Sequence, residues 1–258
     1  MLTRHRVWNA LNLPLKSKRL GRHVLRLLRS AFRRTTLNDR YDAQTLAVIK
    51  RVLGRRSSAI DVGLHTGAIL DNILRAAPEG DHYGFEPLPD LFAAAVAKYA
   101  AAGKLHLFNA ALGDASGSTQ FQHVVTNPAY SGILRRRYDR PHEEVVEITV
   151  SLMTLDDVLP PAFDVRFIKI DVEGAELQVL RGAAQTLSRC RPFVVFEHGL
   201  GAADAYGTEP EMVFDLLTGC GLGISLMHEW LRSGPQLSRE ALAEEFTSGR
   251  NYVFLAHP

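Results

Sequence analysis

Cysteine is nearly missing: Cys190 and Cys220 are the only two in 258 residues. That leaves no disulfide framework and no zinc-ligand spacing, and it makes a reducing compartment the default. Long apolar runs are missing as well. Stretches such as Leu91–Ala97 extend only a few residues, far short of the ~20 that a membrane-spanning helix needs. There is no G-x-G-x-x-G fingerprint, no Tyr-x-x-x-Lys pair, no internal repeat and no low-complexity tract. What remains is an ordinary globular make-up, 46% apolar and 22% charged, which excludes wholesale disorder.

Charge is unevenly spread. Residues 1–40 hold eleven Lys and Arg against one acid, Asp39, whereas the other 218 residues hold 19 basic and 27 acidic groups. A cationic arm (1–40) thus precedes an anionic body (41–258). The arm lacks the uninterrupted apolar stretch of a secretory signal, although its Arg-rich, acid-poor make-up imitates an organelle transit peptide. A cytoplasmic location is the expectation, with peripheral contact at the inner face of a membrane if the arm binds lipid.

From residue 41 short apolar runs alternate with helical periods. The pattern predicts helices at Tyr41–Leu53, Ala68–Ala77, Leu88–Ala101 and Ala175–Leu187. Strands are expected at Ala59–Val62, His82–Phe85, Lys104–Phe108, Arg166–Ile170, Phe193–Phe196, Gly223–Met227 and Tyr252–Leu255. The capping-box pattern Thr208-Glu209-Pro210-Glu211 predicts a helix running to about Gly219. Such alternation argues for a mostly parallel sheet covered by helices. The rhythm breaks between Gly117 and Val150, where Gln120–Val125 and Glu144–Val150 read as an antiparallel pair. The polar loop Thr126–Glu143 joins them, and the whole is expected as an insertion over the sheet's ligand edge.

Three motifs carry chemistry. Asp61-Val62-Gly63-Leu64-His65-Thr66-Gly67 places an acid at a strand end and two glycines before a helix, where open α/β sheets bind ligands. Glycine lets a ligand approach the backbone closely, and this spacing is wider than a pyrophosphate turn, so it suits an amino-acid-like ligand. Tyr83-Gly84-Phe85-Glu86-Pro87 puts Glu86 at the next strand's tip, where a carboxylate can accept hydrogen bonds from two ribose hydroxyls. Phe167-Ile168-Lys169-Ile170-Asp171-Val172-Glu173-Gly174-Ala175-Glu176 gathers three acids where a strand turns into a helix. Helix-start acids gain from the helix dipole, which accounts for Glu176. Asp171 is different, because the strand delivers it into the cleft.

With these motifs, and with Asn109-Ala110-Ala111-Leu112-Gly113-Asp114 and Thr154-Leu155-Asp156-Asp157 in the same order, the chain resembles the FkbM family of S-adenosylmethionine-dependent methyltransferases over about residues 58–255. The resemblance implies a class I methyltransferase fold: a Rossmann-like three-layer α/β sandwich on a seven-stranded, mostly parallel sheet whose last strand is antiparallel. It implies methyl transfer to oxygen, often a hydroxyl of a sugar, polyketide or other natural-product scaffold. Carried over by position, Asp61, Gly63 and Gly67 would line the methionine end of S-adenosylmethionine and Glu86 would hold the ribose. Asn109, Ala110, Ala111 and Leu112 would border the adenine. The family commonly has Ala-Asn where this chain has Leu64-His65, so His65 is a titratable group left beside the cofactor.

Candidates to orient the acceptor or take its proton are Asp171, which also counts among the expected cofactor-binding residues, Glu173 and His198, the last because its ordinary pKa suits proton acceptance near neutrality. Asp171, Glu173 and Glu197 are hard oxygen ligands that could hold Mg²⁺, but nothing in their spacing requires it, and no metal ligand is assigned. The expected partner is a small-molecule or glycan acceptor and not nucleic acid, since the arm has few aromatics and the body is acidic. The oligomeric state is not legible. Two other functions suit the same sheet, a nicotinamide-dependent oxidoreductase and a non-catalytic, membrane-associated binding module.

In the arm, Leu20, Val24, Leu27, Leu28, Ala31 and Phe32 share one helical stripe, and Arg22, Arg26, Arg29 and Arg33 recur on the other side. The stripe fits packing on the catalytic domain first, and it also fits a membrane interface with arginines on anionic headgroups. The membrane reading predicts salt-sensitive cosedimentation with anionic vesicles that disappears when residues 1–34 are deleted. Equal sedimentation of full-length and truncated protein at low salt contradicts it.

Overall fold

The computed structural model describes residues 36–138 and 142–258. The arm's stripe at 20–34 lies outside the described residues. Helix α1 (Leu37–Val52) begins earlier than its apolar pattern suggests. Thr36 and Asp39 cap it reciprocally: the Thr36 hydroxyl accepts the Asp39 N–H at 3.1 Å and the Asp39 carboxylate accepts the Thr36 N–H at 2.8 Å. This satisfies donors that a bare helix start leaves open.

There follow β1 (Ala59–Val62), α2 (Ala68–Ala76), β2 (His82–Phe85), α3 (Pro89–Lys98) and β3 (Leu105–Phe108). After the insertion come β7 (Phe167–Ile170), β8 (Phe193–Glu197), β9 (Gly223–Leu226) and β10 (Val253–His257). The seven-stranded sheet has the order β3-β2-β1-β7-β8-β10-β9. Pairings from β3 to β8 are parallel, and β10, last in the chain, lies antiparallel to both β8 and β9. The chain works outward from β1 to β3 and then restarts at β7 on the other flank of β1. Its direction of winding reverses there, which opens a crevice at the carboxyl ends of β1 and β7.

The central strands are continuous apolar runs because both faces of a parallel sheet are covered. Ile60, Val62, Ile168, Ile170, Val194 and Phe196 are all buried, each side chain contributing about 1.5–3 kcal/mol by leaving water. The insertion pairs with the segment before it to form a second sheet of β4 (Ala110–Leu112), β5 (Gly117–Val124) and β6 (Val145–Met153), in the order β4-β6-β5. Strands β5 and β6 are antiparallel, as the alternation implies, while β4 adds to β6 in parallel. A small apolar cluster of Leu88, Ala111, Phe121 and Val150 fixes this sheet to the turn after β2.

Four expectations change. The helix foreseen at Ala175–Leu187 is two, α5 (Glu176–Arg181) and α6 (Ala184–Cys190), the latter packed against α4 (Leu155–Val158). Gly182 breaks it, since a Cβ there would lie 1.9 Å from the Gly113 carbonyl oxygen, and Asp156 instead accepts the N–H groups of Gln185 and Thr186 at 2.9 Å each. Helix α7 (Pro210–Gly219) starts at its proline, but its N-cap is Glu209, without a side-chain cap bond. Thr208 is buried with its hydroxyl unpartnered. Strand β9 stops at Leu226 because α8 (Met227–Leu231) begins there, and α9 (Arg239–Ser248), capped by Ser238, is an element the apolar pattern did not single out. Among the described residues no helix is long and apolar enough to cross a membrane.

Candidate active site

A cavity of about 260 Å³ opens at the crevice between β1 and β7. One wall is the loop after β1, with Asp61, Gly63, Leu64, His65 and Thr66. A second is the turn after β2, with Phe85, Glu86 and Leu88, continued by Ala110, Ala111 and Leu112 of β4. The third is Lys169 and the segment after β7 with Asp171 and Glu173, and the insertion adds Phe121, Ser131 and Ile133. Asp42 of α1 also reaches the lining, from an element to which the sequence reading gave no site role.

The first loop is pressed against the turn after β7. A Cβ on Gly63 would lie 1.9 Å from the Asp171 carbonyl oxygen, and Gly63 has φ +80°; only glycine meets both demands. His65 also has a left-handed backbone, φ 48°, which Asn and His tolerate better than most residues. Asn and His thus share a backbone reason to stand here, apart from any side-chain contact. Gly67 has φ 75° and leads into α2, and its carbonyl accepts the Tyr99 hydroxyl at 2.8 Å. It supports the loop from behind and does not line the cavity.

Glu86 is buried, and its two oxygens clamp backbone: one accepts the His65 N–H at 2.7 Å, the other the Leu88 N–H at 3.0 Å. Each oxygen keeps a second acceptor direction, so the same carboxylate can take a diol while fixing the loop. Burial pushes its pKa up, partly offset by these two bonds. Asn109 braces this turn from outside the cavity, its amide donating to the carbonyls of Glu86 and Pro87 at 2.8 and 3.0 Å.

Asp61 is the unusual group. It is 1% exposed, and neither carboxylate oxygen has a hydrogen-bond partner among the described residues. Burial pushes its pKa up to about 7, against the pull of the Lys169 ammonium and of the Leu70 backbone N–H, which lies outside good hydrogen-bond geometry, and with added repulsion from Asp171. Lys169 stands opposite Asp61 in the β1–β7 register. Its ammonium reaches Asp171 at 3.1 Å and the Gly63 carbonyl at 3.3 Å.

Beyond Asp171 the acids divide by role. Glu176 accepts the N–H groups of Val172 and Gly174 at 3.0 and 3.2 Å and so shapes the turn. Burial raises it to about 7. Glu173 faces the cavity with φ 61°, strain of the kind that gathers at functional sites. Burial and Asp171 push its pKa up, and Arg136 of the insertion, 2.6 Å away, pulls it down. Glu197, at the end of β8, is raised by burial and by the neighbouring acids. Asp171, Glu173 and Glu197 do not converge on a metal position: among the described residues no group of three His, Cys, Asp or Glu is arranged to hold one.

His198 does not reach the cleft. Its ring is wholly buried against Phe246 of α9, with centroids 4.7 Å apart, and neither nitrogen has a partner. Burial lowers its pKa to about 4, so near neutrality it is an uncharged core side chain. The structure thus brings together Asp61, Gly63, His65, Glu86, Ala110, Ala111, Leu112, Asp171 and Glu173, and it sets Gly67, Asn109 and His198 outside the cavity. Lys169 was missed. The available signal was a lysine inside an isoleucine-flanked buried strand, two residues before Asp171 and hence on the same face.

This sheet order, with the glycine loop and strand-end acids at its winding reversal, defines a class I methyltransferase fold. The sequence profile of the methyltransferase FkbM domain matches residues 61–222, and the chain belongs to that family. This displaces the nicotinamide-dependent alternative. No curated protein matches. Among solved structures, a methyltransferase FkbM from Methylobacillus flagellatus is 14% identical with a TM-score of 0.49, covering 80% of this chain and 44% of its own. Fibrillarin from Aeropyrum pernix, with natively bound S-adenosyl-L-methionine, is 10% identical with a TM-score of 0.42, covering 83% of this chain and 73% of its own. An rRNA methylase from Streptococcus thermophilus is 9% identical with a TM-score of 0.41, covering 83% and 92%. The chain spans less than half of the first of these proteins, and likenesses this distant say nothing of the acceptor.

The Asp61 carboxyl gives a pH prediction. Its folded pKa, about 7, lies above the ~3.9 of an unfolded chain. Its contribution to stability is therefore fully present below about pH 4 and is lost as pH rises through about 7. In the ligand-free protein Asp61→Asn should melt above wild type at pH 8 by about 1–3 kcal/mol, the cost of an unsatisfied buried group, and lose that advantage at pH 5. The same variant should bind S-adenosylhomocysteine at least tenfold more weakly. Melting curves and calorimetry at the two pH values check both; unchanged affinity would remove Asp61 from the binding site.

Proposed function

We propose that this cavity binds S-adenosylmethionine and that the chain transfers its methyl group to a hydroxyl of an uncharged small-molecule or glycan acceptor. The observation that carries the reading is the buried, unpartnered carboxylate of Asp61 beside a glycine loop and a second strand-end acid. An orphaned buried anion is costly, and a ligand ammonium supplies the missing partner, so the donor set fits the methionine end of this cofactor. Glu86, with acceptor directions to spare, suits the ribose, and the apolar wall of Ala110, Ala111 and Leu112 suits the base. His65 would contribute its backbone turn.

When bound, the cofactor supplies an already activated methyl group. The chain's task is then to align an oxygen and receive its proton. Asp171, whose side chain is 39% exposed, is placed to accept a hydrogen bond from the acceptor hydroxyl. Glu173, raised by burial but tempered by Arg136, suits the role of proton acceptor, since an effective base has a pKa near the working pH. Asp42, Asp61, Glu86, Asp171 and Glu173 line the cavity against the single lysine Lys169, and the body of the chain carries more acids than bases. Such a field favours neutral acceptors over phosphodiesters.

Asp171→Asn should keep S-adenosylhomocysteine affinity within about threefold while lowering methyl transfer by roughly 10²–10⁴-fold. Calorimetry, together with transfer of labelled methyl to a panel of glycosides and hydroxylated small molecules, measures both. Loss of cofactor affinity with turnover intact at saturation would contradict the role. Wild-type protein that binds the cofactor product but labels no hydroxyl in the panel would favour a non-catalytic binding module.

A further inference from the structure

We infer that Lys169 is a positioning residue that couples the cofactor half of the cleft to its acceptor half, an inference that rests on the reading of the cavity as a methyl-transfer site. Its side chain is only 13% exposed and lies between three groups with different tasks. On the neighbouring strand Asp61 is its register partner. Gly84, the register partner of Asp61 on the far side, brings no charge. Two residues further along its own strand, Asp171 receives its ammonium at 3.1 Å. Above both, the carbonyl of Gly63 accepts from the same nitrogen at 3.3 Å. One cation therefore touches the glycine loop and the acceptor-facing carboxylate and stands beside the carboxylate assigned to the ligand's ammonium.

The charges around it make that role specific. The acids whose charge Lys169 feels are Asp61 on β1, Glu86 just after β2, Asp171 and Glu173 beyond β7, and Glu197 on β8. Among the described residues Arg136 also lies near these groups and pairs with Glu173 from the insertion. Removing the ammonium would leave Asp61 beside Asp171 without that counter-charge, so Asp61 would hold its proton to higher pH. It would also free the Gly63 carbonyl and loosen a loop whose packing tolerates no Cβ. A lysine that merely filled the core would do neither.

The test uses the full chain and S-adenosylhomocysteine as probe, titrated calorimetrically from pH 5.5 to 8.5. Lys169→Met should weaken binding at least tenfold at pH 7 and move the acid limb of the affinity profile toward alkaline pH by about one unit. Lys169→Arg keeps the cation, and it should hold that limb in place while its poorer fit weakens binding at every pH. A folded Lys169→Met with wild-type affinity and an unshifted limb overturns the inference and leaves the cofactor reading standing. Should Lys169→Met not fold, a Lys169→Arg profile with a shifted limb overturns it as well. Failure of wild-type protein to bind the probe at all brings down the cofactor reading, and the inference with it.

Discussion

Asp61 and Lys169 face one another across β1 and β7, at the place where the sheet's winding reverses, and the rest of the cleft depends on that confrontation. Burying a carboxylate with no hydrogen-bond partner is unfavourable, and a single lysine shared with Asp171 and a carbonyl only partly offsets it. The ligand-free protein thus holds an electrostatic deficit that a cationic ligand can fill. Stability is given up at the site and regained in the apolar strands around it, where Ile60, Ile168 and Ile170 flank the charged residues.

Backbone strain follows the same geography. His65 and Glu173 are non-glycine residues in the left-handed region, and both line the cavity, one on each side. Glu86 holds the first through its amide, while Glu176 shapes the second turn by binding Val172 and Gly174. Two carboxylates that look like surface acids in a sequence are therefore the internal fasteners of two loops. Their burial raises both pKa values, another cost borne where ligands bind.

Where local chemistry suffices, the sequence is a good guide. Strands β1 and β2 fall on the expected residues, Ala59–Val62 and His82–Phe85, because short apolar runs bounded by turn residues have few alternatives. Asp61, Glu86 and Asp171 could be placed at one sheet edge because each ends a strand. Long-range contacts were not legible. The Gly113 backbone splits a helix at Gly182, and β4 pairs in parallel with β6, some forty residues further along the chain. His198 follows a strand end as the acids do, yet its ring turns to Phe246 on a helix that the apolar pattern did not single out. Lys169 was read past because a lysine among isoleucines looks like a tolerated exception, whereas its significance lies in the register with Asp61.

The central claim, that the cleft keeps an anionic vacancy for a ligand's ammonium at Asp61, is tested most directly by proton exchange on binding. S-adenosylhomocysteine would be titrated at pH 6 into wild-type protein by calorimetry, in buffers of contrasting ionisation enthalpy. With Asp61 raised to about 7 in the ligand-free state, most molecules hold a proton there at pH 6, and pairing with the ligand's ammonium must expel it. Proton release should approach one per ligand at pH 6 and fade above pH 8. Binding without proton release at pH 6, or with uptake, would contradict the claim.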